Sequence, residues 1–388
     1  MGMQMGITVG KRVGGLHFPS RMEGNIISEL HRVHLRNLTV LSPSAKAVIN
    51  SKSQILPTHR QHHLRSFFPE IHLCPVQSRY SQRFQFHSVR SHQGTEPNVI
   101  LKSVSRTAEV SVLCISANEA VEEACVRHKA APMAAAALGR ALIGTLLLGA
   151  LKDDAETVQV QFAGDGPLGQ ITTIASGEGL VKGFVGNPMC NLPITANQMI
   201  NVGEAVGSGL MSVVCSHSKW PQPYIGSIPI YSGEIAEDFA HYLAESEQMK
   251  TAIGIGVTFT RKASVKSAHG FLVQVLPFCS EETIVKLEEN IRKMPSLSDA
   301  TADRSAYNIT EDILMDIGIG DTYNLGTPRY GPCDLKDLKL RMLRAVASLG
   351  SEDIKSLLQE QGHIEVRCEF CAEVLRFKEN DVQDIIQS

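Results

Sequence analysis

Several things are missing from this chain of 388 residues, and each absence removes a class of function. No G-x-x-x-x-G-K-[ST] run is present, so no P-loop cradles nucleotide phosphates, which argues against an ATP-driven machine of that kind. Acids are scarce in the first 95 residues, where Glu23, Glu29 and Glu70 stand against twelve Lys or Arg, a net of +9. The remainder holds 25 basic and 37 acidic residues, a net of −12, which argues against nucleic acid as the partner of the folded part. No apolar core of signal-peptide length follows Lys11-Arg12, so a secretory leader is not expected. No stretch of membrane-span length is free of charge. Residues 133–151 come nearest, and Arg140 sits near their middle, where a bilayer would make it expensive. A helix buried in a protein core is expected there, and no membrane partner.

What is present divides the chain into four. Residues 1–95 are basic and Ser-rich and hold nine of the fourteen histidines. That is the composition of an organelle transit peptide, weakly ordered, for a chloroplast or alternatively a mitochondrion; a disordered arm binding an anionic surface is the competing reading. Residues 96–292 alternate strands and helices and predict an α+β domain. Residues 293–330 turn to Ser, Asp, Thr and Gly with one amphipathic patch at Ile313-Leu314-Met315. They predict a metastable linker, able to fold when docked and to open when its neighbour lets go, or else an ordinary connection. Residues 331–388 form a small cysteine module.

Within the second division, residues 108–115 alternate as a half-buried strand, and Ser116 to Glu119 cap a helix that runs to Lys129. Gly164-Asp165-Gly166-Pro167-Leu168-Gly169 satisfies G-x-G-x-x-G, but the β-branched Ile171-Thr172-Thr173-Ile174 follows where a dinucleotide site needs a helix. A hairpin turn is therefore predicted. Short strands follow at 179–185, 209–214 and 225–231. A helix is expected from Ser232 or Gly233, two strands at 252–260 and 270–277, and a helix from Ser280 to Met294. Cys114, Cys125, Cys190, Cys215 and Cys279 are expected as small core residues, since nine cysteines in apolar surroundings do not make a secreted disulfide framework.

The last module carries Cys368-Glu369-Phe370-Cys371 between two short strands. Two thiols at this spacing chelate a soft metal or close a small disulfide ring. A tetrahedral zinc needs four ligands, and the nearest upstream thiol is Cys333, with two helices, broken at Gly350-Ser351, between it and the pair. Either the three thiols share one site, or Cys333 is a core residue beside an unrelated pair.

Leu138-Gly139-Arg140, the Gly164 to Gly169 turn, Val181-Lys182-Gly183-Phe184-Val185, Tyr231-Ser232-Gly233-Glu234-Ile235-Ala236, Gly270-Phe271-Leu272-Val273-Gln274-Val275-Leu276-Pro277 and the Cys368 to Cys371 pair run in one order across 97–388. In that combination the chain resembles the 33-kDa heat-shock chaperonin family, the redox-regulated holdases. The resemblance implies an N-terminal mixed α/β chaperone domain, a metastable linker and a C-terminal zinc-type redox-switch domain. It implies no catalytic residue: an ATP-independent chaperone that binds unfolded or partially folded client proteins, with a homodimer as the active form.

By the same resemblance Cys368 and Cys371 match the family's second cysteine pair, while the first pair is degenerate. Gly331 and Cys333, or Leu335 and Asp337, stand at its places depending on the gap. Redox-switch and metal roles then fall on Cys333, Cys368 and Cys371, with His363 or Asp334 as a fourth zinc ligand, or with a single disulfide, or with the switch lost. The segment from Cys215 to Tyr224 departs from the family's turn and is read as a loop variation. Two rivals remain: a thiol–disulfide oxidoreductase using Cys368 and Cys371, and a zinc-ribbon nucleic-acid binder.

Overall fold

A computed structural model describes residues 7–9, 98–192, 200–298, 304–331 and 335–387. The transit-peptide reading of 1–95 lies outside the described residues except for β1 (Ile7–Val9), a short strand. The architecture is mixed α+β, as the sequence predicts.

Two sheets, antiparallel except for one edge strand, enclose one helix. The first is five-stranded in the order β11-β2-β3-β10-β9, with β2 (Val99–Ser105), β3 (Val110–Ser116), β9 (Thr251–Phe259), β10 (Val265–Val275) and β11 (Ile319–Gly326). The second is six-stranded in the order β12-β6-β5-β4-β7-β8, with β4 (Glu156–Gly164), β5 (Ile171–Ser176), β6 (Leu180–Val185), β7 (Gly209–His217), β8 (Tyr224–Pro229) and β12 (Arg329–Tyr330). Between them lies α2 (Pro132–Gly149), packed on β4, β5 and β6 on one side and on β3, β9 and β10 on the other. An apolar helix without a polar face needs burial on every side, and the two sheets supply it. Its length and composition match a membrane span, yet 89% of the window is buried in the protein. Arg140 escapes at 11% side-chain exposure and pairs with Glu234 at 2.6 Å.

The remaining helices cover edges and outer faces. They are α1 (Asn118–His128), α3 (Val202–Val206), α4 (Ala236–Glu245), α5 (Glu281–Lys293) and α6 (Ala306–Ile313). The helix expected from Ser232 starts three to four residues later, because Asp238 takes over the cap. Its carboxylate accepts from the backbone N–H of Tyr231, Ser232 and Ile235 at 2.7, 3.1 and 3.0 Å. Ser280 caps α5 as the sequence predicts, accepting from Thr283 N–H.

The G-x-G-x-x-G run is a hairpin turn from β4 to β5. Its glycines are there for close approach: a Cβ on Gly164 would strike the Val206 carbonyl, and one on Gly166 the Ala205 carbonyl. Gly166 and Leu168 instead donate to Val206 and Ala205 at 3.0 Å each.

Residues 304–331 do not dangle between domains. α6 lies on the outer face of the five-stranded sheet, burying Ile309, Ile313 and Leu314 against Val112, Cys114 and Phe271. β11 then extends that sheet beside β2, and β12 extends the other sheet parallel to β6.

The C-terminal module is α7 (Leu335–Ala347), α8 (Ser351–Gln361), β13 (Ile364–Cys368), β14 (Val374–Phe377) and α9 (Glu379–Gln387) around its own small core of Leu338, Met342, Val346, Ile354, Val366 and Phe377. β1 pairs with the outer edge of β13, Thr8 opposite Arg367.

Candidate functional site

β13 and β14 pair antiparallel, Ile364 opposite Phe377 and Arg367 opposite Val374, and the chain reverses between them through Glu369 to Ala372. Cys368 N–H donates to the Glu373 carbonyl at 2.8 Å and Ala372 N–H to the Cys368 carbonyl at 2.9 Å, which closes the knuckle. Ala372 accepts a φ of 56° to complete the turn. Cys371 is buried at 3% exposure and Cys368 is half-buried, and neither is in a disulfide. The pair sits at a strand end, not at the helix N-terminus where many catalytic Cys-x-x-Cys pairs are placed.

The structure leaves the predicted metal set incomplete. Cys333 and Asp334 lie outside the described residues. His363 precedes β13, five residues from Cys368, about 16 Å along an extended strand. Its Nδ1 lies 2.9 Å from the Gln361 carbonyl. Against the expectation that named it as a fourth ligand, it cannot meet the thiols without dismantling the strand. Among the described residues no group of three or more His, Cys, Asp or Glu converges to hold an ion. They therefore supply two of the four ligands that a structural zinc requires and do not fit a closed site.

The core cysteines are chemically quiet. Burial pushes the Cys114 and Cys125 thiols up to about 12 and raises Cys190 as well. Cys279 is the exception to the core expectation: it is half-exposed at the rim of the apolar cluster on the outer face of the five-stranded sheet, beside an outward-turned Phe278. At the variant loop, β7 ends at His217 and Trp220 folds back beside it, ring centroids 5.7 Å apart.

What sequence reasoning missed is the residue between the thiols. Phe370 leaves the small module and docks on the sheet domain. Its ring meets Phe184 edge-on with centroids 5.1 Å apart, and Lys182 Nζ lies 5.8 Å from the ring centre. Its main-chain oxygen accepts from the Tyr330 hydroxyl at 2.6 Å and lies 3.3 Å from His128 Nε2. Arg127 stacks over Tyr330 at 5.4 Å. Burial holds the His128 imidazole below its ordinary value, against the opposing hydrogen bond to Phe370 and helped by the nearby charge of Arg367. The available signal was the alternation in Val181 to Val185, which puts Lys182 and Phe184 on the sheet face turned away from α2.

The Hsp33 protein family model matches residues 98–378. The chain belongs to the Hsp33 family. It is 36% identical to the 33 kDa chaperonin of Desulforamulus reducens over 290 residues, covering 74% of this chain and 97% of that protein. It is 35% identical to the 33 kDa chaperonin of Clostridium perfringens over 293 residues, covering 74% and 90%. The solved 33 kDa chaperonin of Thermotoga maritima superposes with a TM-score of 0.69 at 29% identity, covering 75% of this chain and 98% of that one. The match thus spans the sheets, the segment carrying α6, β11 and β12, and the knuckle. As an Hsp33 family member the chain is a molecular chaperone, and the oxidoreductase reading of Cys368 and Cys371 has nothing that favours it over the chaperone.

Proposed function

We propose that the chain is an ATP-independent holdase that binds unfolding proteins and limits their aggregation under oxidative or heat stress. The observation that carries this reading is the cover formed by residues 304–331. The outer face of the five-stranded sheet presents Leu101, Val110, Val112, Cys114, Phe271 and Val273, and α6 shields it with one amphipathic stripe. Lifting that stripe turns a buried apolar face into a surface of the kind that binds exposed hydrophobic chain.

Control is assigned to Cys333, Cys368 and Cys371 as the redox thiols and as the three cysteines available to zinc. Peroxide joining two of them makes one disulfide and two waters, the two thiol protons leaving with the reduced oxygen. With three thiols the switch is a single disulfide, a reduced version of the family's scheme. The divisions at 96–292, 293–330 and 331–388 are taken as chaperone domain, metastable linker and switch domain, with residues 1–95 as a transit peptide for a chloroplast, or alternatively a mitochondrion. Clients are unfolded or partly folded proteins, the active form is a homodimer, and neither nucleic acid nor a membrane is a partner.

The test is light scattering of a chemically unfolded client diluted into buffer without ATP, with the chain reduced or treated with peroxide. Suppression of scattering by the oxidised chain is the expected result; scattering unaltered by either form rejects the holdase. Elemental analysis and thiol titration on the same samples read zinc and its release, light scattering reads the dimer, and import into isolated chloroplasts and mitochondria reads the destination.

A further inference from the structure

The socket around Phe370 reads two features of one residue. Phe184 and Lys182 receive the ring, while the Tyr330 hydroxyl donates to the carbonyl of that same residue, with His128 Nε2 beside it. All four belong to the part of the chain that precedes the knuckle: His128 ends α1, Lys182 and Phe184 lie on β6, and Tyr330 lies on β12. Tyr330 and His128 are 4% and 5% exposed, so the wall that meets the carbonyl is buried with the cover closed, while Phe370 itself is only half-buried.

A partner recognised in this way must offer an aromatic ring together with its own unpaired main-chain carbonyl. Folded proteins rarely do so, since their large aromatic side chains are largely buried and their carbonyls are paired in helices and strands. An unfolding segment offers both. The ring also meets a cationic group, which prefers an aromatic face to an aliphatic side chain.

We propose that this socket is a client-binding site for a phenylalanine or tyrosine in an extended segment, and that Phe370 occupies it in the closed form as the chain's own stand-in for a client. The proposal rests on the holdase reading and adds to it a second client contact, on the six-stranded sheet, with the chemistry it selects.

The probe is a blocked, fluorescein-labelled peptide of glycine and serine around one phenylalanine, titrated by fluorescence anisotropy into the full reduced chain. Phe370→Ala empties the socket and is expected to tighten binding about tenfold over the unaltered chain. Adding Phe184→Ala returns binding to the unaltered level, and adding Tyr330→Phe, which removes one hydroxyl, weakens it by about threefold or more. Peptides carrying alanine or cyclohexylalanine in place of phenylalanine bind weakly to all forms. Circular dichroism melts confirm that the variants fold, and Tyr330→Phe stands in if Phe184→Ala does not.

The proposal is overturned if Phe370→Ala binds no tighter than the unaltered chain, if Tyr330→Phe and Phe184→Ala leave its affinity unchanged, or if the cyclohexylalanine peptide binds as well. Client light scattering on the same samples separates the two readings. Holding that persists without the peptide pattern removes the socket and keeps the holdase, whereas no holding in any state removes the holdase while the peptide still decides the socket.

Discussion

β3 and β11 lie in one sheet with only β2 between them, and they are built to opposite specifications. Every residue of β3 is buried, and its sequence Val110 to Ser116 is apolar throughout its centre. No residue of β11 is buried; its ladder to β2 is irregular at two places, and it carries Gly320, Asp321 and Asn324. The same contrast separates the helices: α2 is enclosed by both sheets, while α6 touches the sheet by one stripe. A fully buried strand and one with no buried residue thus share a hydrogen-bonded sheet. β11 itself contributes main-chain pairing and little apolar burial, whereas α6 contributes Ile309, Ile313 and Leu314 to the core on the outer face of the sheet.

The contrast breaks most visibly at Phe239, which is fully buried, meets Phe162 with ring centroids 5.8 Å apart and lies against α2 at Gly144. Phe239→Ala is expected to lower global stability by about 3–5 kcal/mol, read from urea unfolding. A loss confined to the cover would contradict the division. Ile309→Ala acts on the other side. It should lower the opening free energy of 304–331 by about 2–5 kcal/mol, with faster amide exchange there and unchanged exchange in α2, and the reduced chain should begin to hold clients. Equal acceleration in α2 would mean that cover and core unfold as one unit.

Smaller effects sharpen the boundary. Thr310 Oγ1 lies 3.2 Å from Cys114 Sγ and 2.9 Å from the Ala306 carbonyl, where the cover meets the core. Thr310→Val should cost about 1 kcal/mol, again in exchange of the cover alone. The smallest effect is a pH dependence of docking. The ordinary His128 value is 6.5, and docking lowers it mainly by burial. Its contribution is therefore fully present above 6.5 and fades as pH falls below that, because the undocked form takes up a proton first. Arg367 reinforces the trend by repelling the charged imidazole, while the Phe370 carbonyl and the Cys371 thiol oppose it. Tryptic cleavage near the knuckle should quicken on acidification from about pH 7 to about pH 6, after correction for the protease's own profile. His128→Gln should abolish the change.

The enclosed parts were legible in the sequence for a physical reason: their causes are local. The uninterrupted apolar run gives α2, Ser280 caps α5, and β-branched residues after Gly169 decide against a nucleotide turn. The cover was legible only as a change of composition. β11 has no alternation to reveal it, since its place is set by β2, more than two hundred residues earlier. The Phe370 socket was invisible for the same reason, its members coming from α1, β6 and β12. His363 looked like a ligand because it is near the thiols in sequence, and an extended strand made that nearness misleading.

β11 and β12 follow one another within twelve residues, from Ile319 to Tyr330, and close an edge of each sheet from outside. Both strands join their sheets at an edge, which has a kinetic consequence. A cover that lies on outer edges returns by short loop closures onto a scaffold already in place, so re-closing avoids the slow search that building either sheet demands. If residues 304–331 lift when a client binds, their return needs no rebuilding of either sheet.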